Sequence, residues 1–365
     1  IADYLELTQK GRMPLIRPPQ RESLGGAMQI DAATRRNLEL TQALSGGREG
    51  SLLAAIDRTV TAGGARLLER RISAPSRDLA EIHARQAAVA HLAGDPRLTA
   101  DLREALSRAP DMDRALSRLA LDRGGPRDLS AIRAGLTQGA RIAATLGDDG
   151  IAILDNAGRD LTGHDALIDL LDDALVAEPP LLTRDGGFTA PGYDADLDET
   201  RALRDEGRGV IARMQADYIA ESGVTSLKIK HNNVLGYFIE TTSTHAERML
   251  APPLNARFIH RQTTANQIRF TTVELSELET RILNARDRAL EIEREVFARL
   301  TRAVLDRAGA IGQAARALAE IDLTGAFADL ATGEGWTQPQ VDASRAFQIE
   351  GGRHPVVERA LKRKG

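Results

Sequence analysis

Basic and amide side chains that could bind phosphate are concentrated between Val224 and Val273. Six Lys or Arg face two Glu there, a formal charge of +4, whereas the whole chain carries −4. The basic residues are Lys228, Lys230, Arg248, Arg257, Arg261 and Arg269. Lys and Arg neutralise phosphates, while Gln, Thr and Asn donate hydrogen bonds to phosphate oxygens without reading base sequence. Nucleic acid is therefore the leading ligand, although composition alone equally fits a solvated β cap balanced by an acidic neighbour.

Other groups of potentially reactive residues carry weaker signals. His83 and His91 lie eight residues apart on a predicted helix, but a metal site needs a third donor on the same face. Aspartates near residues 111–122 and 169–173 are typical of a solvated helix face. No Ser, His and Asp grouping has a nucleophile-elbow signature. Gly46-Gly47 and Gly63-Gly64 predict a loop and a close helix contact, since no lysine follows them as in a phosphate loop.

The segment that carries the basic residues alternates as β-strands do. In SLKIKHNNVLGYFIETT (226–242), Leu227 and Ile229 alternate with polar residues, and Leu235, Tyr237 and Ile239 alternate again. His231-Asn232-Asn233 between them tolerates a tight turn. The alternation predicts a β-hairpin, and FIHRQTTANQIRFTT (258–272) belongs to the same β-rich insert.

Two long helices are predicted on either side of this insert. One covers residues 194–219; the other begins after a capping-box pair, Thr271 and Glu274. Apolar residues then step by threes and fours along the second helix, at Leu275, Leu278, Ile282, Ala285, Ala289, Ile292 and Val296. This spacing predicts a packed seam. We expect the helices to run antiparallel as a lever, each arm on the order of 40 Å long, with the insert at its far end.

Composition favours a soluble, mainly α-helical protein of two or three domains. The chain of 365 residues has 42% hydrophobic and only 3% aromatic residues, with no cysteine. Plausible helix N-caps at Asp31, Thr61 and Asp78 precede short amphipathic helices that would share one core. The lack of cysteine fits a cytoplasmic location, and no segment approaches the about 18 apolar residues of a membrane span. The chain begins with Ile1 and has no visible targeting signal, which predicts a fragment.

Seven sequence blocks resemble the MutS family of DNA mismatch-recognition proteins. They occur in the family's order and are distributed along nearly the whole chain. They are MQIDAATRRNLELTQ (28–42), SLLAAIDRTVTAGGARLLERRI (51–72), GGPRDL (124–129), RDGGFTAPGYDADLDETRAL (184–203), LKIKHNNVLGYFIE (227–240), HRQTTANQIRFTTVELSELE (260–279) and EGGRHPVVE (350–358). The resemblance implies a helical core with long antiparallel lever helices that carry a small β-rich clamp domain. Its implied boundaries are 1–190 for the first part of the core and lever, 191–273 for the clamp region, 274–340 for the returning lever helix and 341–365 for the start of an ATPase domain.

The resemblance also implies which residues contact DNA. Arg261, Gln262, Thr263 and Asn266 match the family's backbone-contacting stretch, and Arg261 and Asn266 are the first choices among them. Lys228 and Lys230 are second-tier candidates on the polar side of the first strand. Where the family often has a lysine, this chain has Thr264-Ala265, so one phosphate charge is absent.

The family's partners and cofactors are duplex DNA, a second MutS subunit, downstream repair proteins, ATP and Mg. This chain has no G-x-x-x-x-G-K-[ST] loop, so we expect it to bind no nucleotide and to have no catalytic residues or ATPase activity of its own. EGGRHPVVE resembles the first strand of the ATPase domain. The alternative function is a helical protein-interaction module without direct DNA contact, which would bind its partner through the apolar seam.

Overall fold

The computed structural model describes residues 26–232 and 234–364, without the side chains of residues 203–208, 363 and 364. Asn233 of the predicted turn and residues 1–25 lie outside the described residues. The chain divides into two compact units: Leu182–Arg299 forms the second unit, and the described residues on both sides of it form the first. The described residues are mainly α-helical and contain one four-stranded antiparallel sheet, which confirms the predicted fold class.

The helices are, in chain order, α1 (Ala32–Asn37), α2 (Leu52–Ile56), α3 (Ala62–Ser73), α4 (Leu79–Gly94), α5 (Pro96–Ser107), α6 (Met112–Ala120), α7 (Pro126–Leu146), α8 (Ala152–Asp160), α9 (Asp165–Ala174), α10 (Ala195–Ser222), α11 (Ala246–Leu250), α12 (Val273–Asp306), α13 (Ala308–Glu334) and α14 (Pro355–Lys364). The strands are β1 (Lys228–Asn232), β2 (Gly236–Thr242), β3 (Ile259–Thr263) and β4 (Gln267–Thr271).

Side-chain caps begin the helices of the first unit where the sequence predicts them. The side chains of Asp31, Thr61 and Asp78 accept hydrogen bonds from the first-turn amides of α1, α3 and α4. Such caps satisfy amides that have no partner within the helix. In the GGPRDL block, the amide of Gly125 donates to the Asp128 carboxylate over 2.8 Å, and Pro126 occupies the first turn of α7. The proline fits there because that position needs no amide hydrogen bond.

A buried carboxylate holds α3 against α13 in the first unit. Asp322 of α13 is fully buried and accepts hydrogen bonds from the amides of Val60 and Thr61, at 3.0 and 2.8 Å, and from the Thr61 hydroxyl at 2.6 Å. Gly64 packs directly on it: a Cβ added there would lie 2.1 Å from Asp322 Oδ2. The close helix contact predicted for Gly63-Gly64 is thus confirmed at Gly64, and its partner is a hydrogen-bonded carboxylate.

The two long helices of the second unit run antiparallel. Near the start of α10, Asp194 lies 3.8 Å from Arg299 of α12. Near the end of α10, the Tyr218 hydroxyl hydrogen-bonds to Thr272 Oγ1 over 2.6 Å, just before α12 begins. These contacts pair the first turn of one helix with a late turn of the other, as predicted for the lever arms.

The predicted seam on α12 is largely buried. Leu275, Leu278, Ala285, Ala289, Ile292 and Val296 are buried, and Ile282 is half-buried. The cap at the start of this helix differs by one residue from the prediction: Thr272, not Thr271, accepts from the amide of Leu275 at 3.1 Å. Thr271 belongs to β4 instead, because strand pairing with Ile259 fixes its backbone.

The RDGGF segment (184–188) is fixed to α12 by a second buried carboxylate. Glu293 accepts hydrogen bonds from the amide of Gly187 at 2.9 Å and from Arg201 Nη2 at 2.9 Å. Phe188 makes an edge-to-face contact with Phe297, with ring centroids 6.1 Å apart. Gly186 has a positive φ of 65° and no room for a Cβ beside Glu293, which explains why glycine suits this turn.

The sheet has the strand order β1-β2-β4-β3, so it consists of two hairpins joined through β2 and β4. The predicted hairpin over 226–242 is confirmed as β1 and β2. The Asn232 side chain accepts from the amides of Val234 and Leu235 and so shapes the turn. Ile239, Ile268 and Phe270 on the inner face pack in one core with Tyr218 and Leu275. This core fixes the sheet to the ends of α10 and α12.

The region after the sheet differs from two expectations. The helix expected to continue over 274–340 is divided at Arg307, which lies between α12 and α13 with φ −106° and ψ 13°. The strand expected from EGGRHPVVE is a helix, α14, which starts at Pro355. Proline presets the backbone angle of a first helical residue, and the following ERALKRK is rich in helix-forming residues. The domain boundaries that the resemblance implies stay a prediction.

Candidate nucleic-acid interface

One face of the sheet carries three of the six predicted phosphate-binding side chains, Lys228, Lys230 and Gln262. Since successive residues of a strand point to opposite faces, the register assigns Lys228, Lys230, Phe238, Glu240, Gln262 and Arg269 to the face opposite the core. We call these six residues the outer face. Lys228 and Gln262 are exposed, and the Lys230 side chain is 48% exposed. Three cations and one carboxylate therefore share this face.

The carboxylate of Glu240 joins two of these cations. Lys230 Nζ donates to Glu240 Oε1 over 2.6 Å, and Arg269 Nε donates to Oε2 over 3.1 Å. Glu240 itself is only 5% exposed. Its burial raises the pKa of this carboxyl, but the hydrogen bonds and charges of Lys230 and Arg269 outweigh that effect and hold the pKa below its ordinary value. The carboxylate is therefore ionised at neutral pH.

Arg269 is fixed on three sides. Its guanidinium lies over the Phe238 ring, 4.7 Å from the centroid, and its Nη1 donates to Gln262 Oε1 over 2.9 Å, in addition to the contact with Glu240. The aromatic face attracts the cation and the fork of donors orients it. Sequence analysis did not select Arg269 as a site residue. The signal was present, since Arg269 alternates with Ile268 and Phe270, which predicts the polar side of the strand.

Arg261 is the extra residue of a β-bulge on the edge strand β3. His260 pairs with Phe270 and Gln262 pairs with Arg269, which leaves Arg261 without a partner across the ladder. A bulge redirects a side chain. Gln262 contacts Arg269 on the outer face, whereas Arg261 lines a groove between β3 and the first turns of α12, together with Thr271, Thr272 and Ser276. Arg261 and Gln262, although adjacent in the sequence, therefore have different neighbours.

Thr263 and Asn266 lie at the end of the β3–β4 hairpin. Both are exposed. The Thr263 hydroxyl lies 2.9 Å from His260 Nε2, and the backbone oxygen of Asn266 accepts from the amide of Ser243 over 3.1 Å. The turn closes where the Thr264 amide donates to the Gln267 carbonyl over 2.8 Å. Lys228, Lys230 and Gln262 therefore share the outer face, while Arg261, Thr263 and Asn266 lie on the β3 edge and its turn.

The histidines considered for a metal site have other contacts. His83 Nε2 lies 2.7 Å from the Val341 carbonyl oxygen, and His91 Nε2 lies 3.2 Å from the Asp149 carboxylate. Within residues 26–232 and 234–364, no three His, Asp or Glu are grouped to hold a metal ion. In the same ranges no helix is both long and apolar enough to cross a membrane.

The Glu240 ion pairs predict a pH dependence for the stability of the sheet. The carboxyl protonates near its ordinary pKa of about 4.3 in the unfolded chain and at a lower pKa in the folded chain. Its contribution is therefore present above about pH 4.3 and is lost as the pH falls through the folded pKa. Hydrogen exchange of the β2 and β4 amides should show a steeper loss of protection between about pH 5 and pH 3 in the unmodified chain than in Glu240→Gln.

The matched control for this measurement is Glu247→Gln. Glu247 is exposed on α11 and makes no ion pair within the described part of the chain. It should keep the pH dependence of the unmodified chain. Equal pH dependence in the Glu240→Gln variant and the unmodified chain would contradict the assigned ion pairs.

Comparisons with known proteins show the family of the chain. Residues 33–328 match the family model of MutS domain III. The chain belongs to the MutS family. The DNA mismatch repair protein MutS of Paracoccus denitrificans is 90% identical over 365 residues, which are 100% of this chain and 42% of that protein. The proteins of the same name from Cereibacter sphaeroides and Ruegeria pomeroyi are 71% and 64% identical, again over 100% of this chain and 42% of each.

The MutS family match can be placed on the elements of the structure. The domain III match includes α10, the sheet and most of α13, so it covers both antiparallel helices and the insert between them. The chain spans about 42% of the length of these MutS relatives. The block LKIKHNNVLGYFIE contributes Lys228, Lys230 and Glu240 to the outer face, and HRQTTANQIRFTT contributes Gln262 and Arg269.

Proposed function

We propose that the second unit of this MutS chain grips the sugar-phosphate backbone of duplex DNA, as the lever and clamp portion of a DNA mismatch repair protein. The observation that carries the proposal is the outer face. Lys228, Lys230 and Arg269 lie beside Gln262 on one side of a small sheet, at the ends of two antiparallel helices. Cations and amide donors suit phosphate, and their concentration contrasts with the −4 charge of the whole chain.

The same chemistry supports binding without sequence specificity. Contacts to phosphate position a protein on a duplex but carry no base information. Each phosphate neutralised adds about 0.9 to the slope of log affinity against log salt, so three or four contacts would give weak, strongly salt-dependent binding. Arg261, Thr263 and Asn266 would extend the grip along the β3 edge.

The roles of the whole protein are also part of the proposal. We infer a DNA-dependent ATPase that uses ATP and Mg, acts with a second MutS subunit and downstream repair proteins, and lies in the cytoplasm with the bacterial chromosome. The names of the relatives, DNA mismatch repair protein MutS, support the repair role, and the other parts rest on the resemblance to the MutS family. The present chain would relay the nucleotide state along α10 and α12 and would hydrolyse no ATP itself, because its sequence contains no phosphate-loop motif.

The protein-interaction alternative has less support. It needs the apolar seam of α12 as a docking surface, but six of the seven seam residues are buried within the described structure. A buried seam stabilises the packing of its own chain and offers little area to a partner.

Charge reversal of Arg261 tests the mode of DNA binding. We expect Arg261→Glu to weaken binding to matched and mismatched duplexes by the same factor and to lower the salt slope by about one unit, because a phosphate contact carries no sequence information. Fluorescence anisotropy with a short labelled duplex of each kind measures both quantities.

Arg286→Glu is the matched control, since Arg286 is exposed on α12, away from the sheet strands. It makes the same change of charge and should leave the affinity closer to that of the unmodified chain. If Arg261→Glu changed the ratio of matched to mismatched affinity and left the salt slope intact, the backbone-contact role would be wrong.

A further inference from the structure

We propose that Glu240 is a positioning residue, which holds Lys230 and Arg269 as a preorganised pair for phosphate on the outer face. The inference rests on the proposed function and adds Glu240 to the residues on which the grip depends. The Glu240 carboxylate lies among the cations of a surface that is proposed to bind a polyanion. Its negative charge by itself would weaken the binding of phosphate.

Burial of Glu240 argues for a specific role. Removing a carboxylate from water carries a large desolvation cost, and an ion pair buried in this way often stabilises a fold no better than apolar packing. Glu240 is 5% exposed on β2, the strand between β1 and β4, and the residues before it, Phe238 and Ile239, are also buried. An exposed lysine on a solvated strand needs no such partner. The ion pairs stabilise the folded sheet relative to a protonated carboxyl, but apolar packing could supply as much stability, whereas only a carboxylate also orients the two cations.

The contacts use only part of the hydrogen-bonding capacity of each cation. Glu240 Oε1 takes one donor of the Lys230 ammonium, and Oε2 takes Nε of Arg269. An ammonium has three donors and a guanidinium has five, so donors remain on both groups for a phosphate. The side chains are still 48% and 21% exposed. Since the rotamer freedom of both side chains is already restricted, less entropy is lost when a phosphate binds.

Three side chains hold the guanidinium of Arg269 in one orientation. Phe238 lies beneath the guanidinium, Glu240 holds Nε, and Gln262 accepts from Nη1. Loss of the carboxylate would leave both cations present but release them to move independently. The prediction is thus opposite to that of simple electrostatics: removing a negative charge from the binding face should weaken binding to DNA.

The test compares Glu240→Gln with Glu247→Gln in the 365-residue chain. Both substitutions remove one negative charge from the basic insert, but Glu247 is exposed on α11 and is not part of the outer face. Duplex binding is measured by fluorescence anisotropy at about 50 mM and about 200 mM salt. We expect Glu240→Gln to bind about three- to tenfold more weakly than the unmodified chain, with a salt slope lower by about one unit, and Glu247→Gln to bind as tightly or slightly more tightly.

A second variant keeps the test decisive if Glu240→Gln does not fold, which circular dichroism would show. Glu240→Asp keeps the charge and shortens the side chain by one methylene, so the distances to Lys230 and Arg269 cannot both be kept. It should also weaken binding, although the net charge is unchanged. If the folded Glu240 variants bind as tightly as the Glu247→Gln control, the positioning role is overturned while the proposed DNA grip stands. If the unmodified chain shows no salt-dependent binding, the proposed function fails, and this inference fails with it.

Discussion

Replacement of Gly64 with alanine is expected to destabilise the first unit by about 3 kcal/mol, because the new methyl group would overlap a carboxylate that cannot move freely. The added Cβ would lie 2.1 Å from Asp322 Oδ2 and 2.7 Å from its Cγ. Asp322 is held by Val60 and Thr61, so its displacement would break hydrogen bonds in a fully buried site. The higher helix propensity of alanine, about 1 kcal/mol, offsets only part of this loss.

Gly63→Ala is the matched control in the same helix. A Cβ at Gly63 would contact the Ala319 Cβ at 3.4 Å and would meet no carboxylate. We expect its free energy of unfolding to stay within about 1 kcal/mol of the unmodified chain. Chemical denaturation followed by fluorescence of Trp336, the single tryptophan, measures both variants in the unit that contains the contact. Equal denaturation midpoints for Gly64→Ala and Gly63→Ala would contradict the packing described.

The sequence correctly predicted the elements that depend on residues close to one another in the chain. Asp31, Thr61 and Asp78 cap helices because their side chains reach amides two or three residues away. The alternation from Leu227 to Ile239 predicted a hairpin because successive residues of a strand point to opposite faces, so that the alternating apolar residues share the core face. The seam of α12 followed from a regular apolar spacing.

The contacts that organise the candidate site depend on residues far apart in the sequence. Glu240 meets Arg269 only because β2 pairs with β4, and strand order is not encoded in the alternation of either strand. The bulge at Arg261 shifts the register by one residue and so places Gln262 opposite Arg269, which the sequence of β3 alone does not show. In the same way, the pairing of Asp322 with Thr61 spans 261 residues and could not be read from the Gly63-Gly64 pair.

Simultaneous charge reversal of Lys228 and Arg261 is expected to have the largest effect on DNA binding. Both are exposed and neither makes an ion pair within the described residues, so their loss should disturb the fold little. The change converts two cations to anions on the outer face and the adjoining β3 edge. We expect the dissociation constant to rise by about tenfold or more at low salt and the salt slope to fall by about two units.

Reversal of Arg281 and Arg286 provides the control of equal charge change. Both residues are exposed on α12, outside the strands of the sheet. Long-range repulsion is screened over about 10 Å at 0.1 M salt, so this variant should approach the affinity of the unmodified chain as the salt concentration rises. A loss of affinity that is common to both double variants is due to the change in net charge. The additional loss in the Lys228 and Arg261 variant is due to lost contacts with DNA.

The most direct measurement is the salt dependence of duplex binding by the unmodified chain and these two double variants, followed by fluorescence anisotropy. The account predicts a negative slope of log affinity against log salt for the unmodified chain, a slope smaller by about two units for the Lys228 and Arg261 variant, and a clearly smaller change of slope for the Arg281 and Arg286 variant. Binding that does not depend on the salt concentration, or that weakens equally in both variants, would contradict a backbone grip by the sheet.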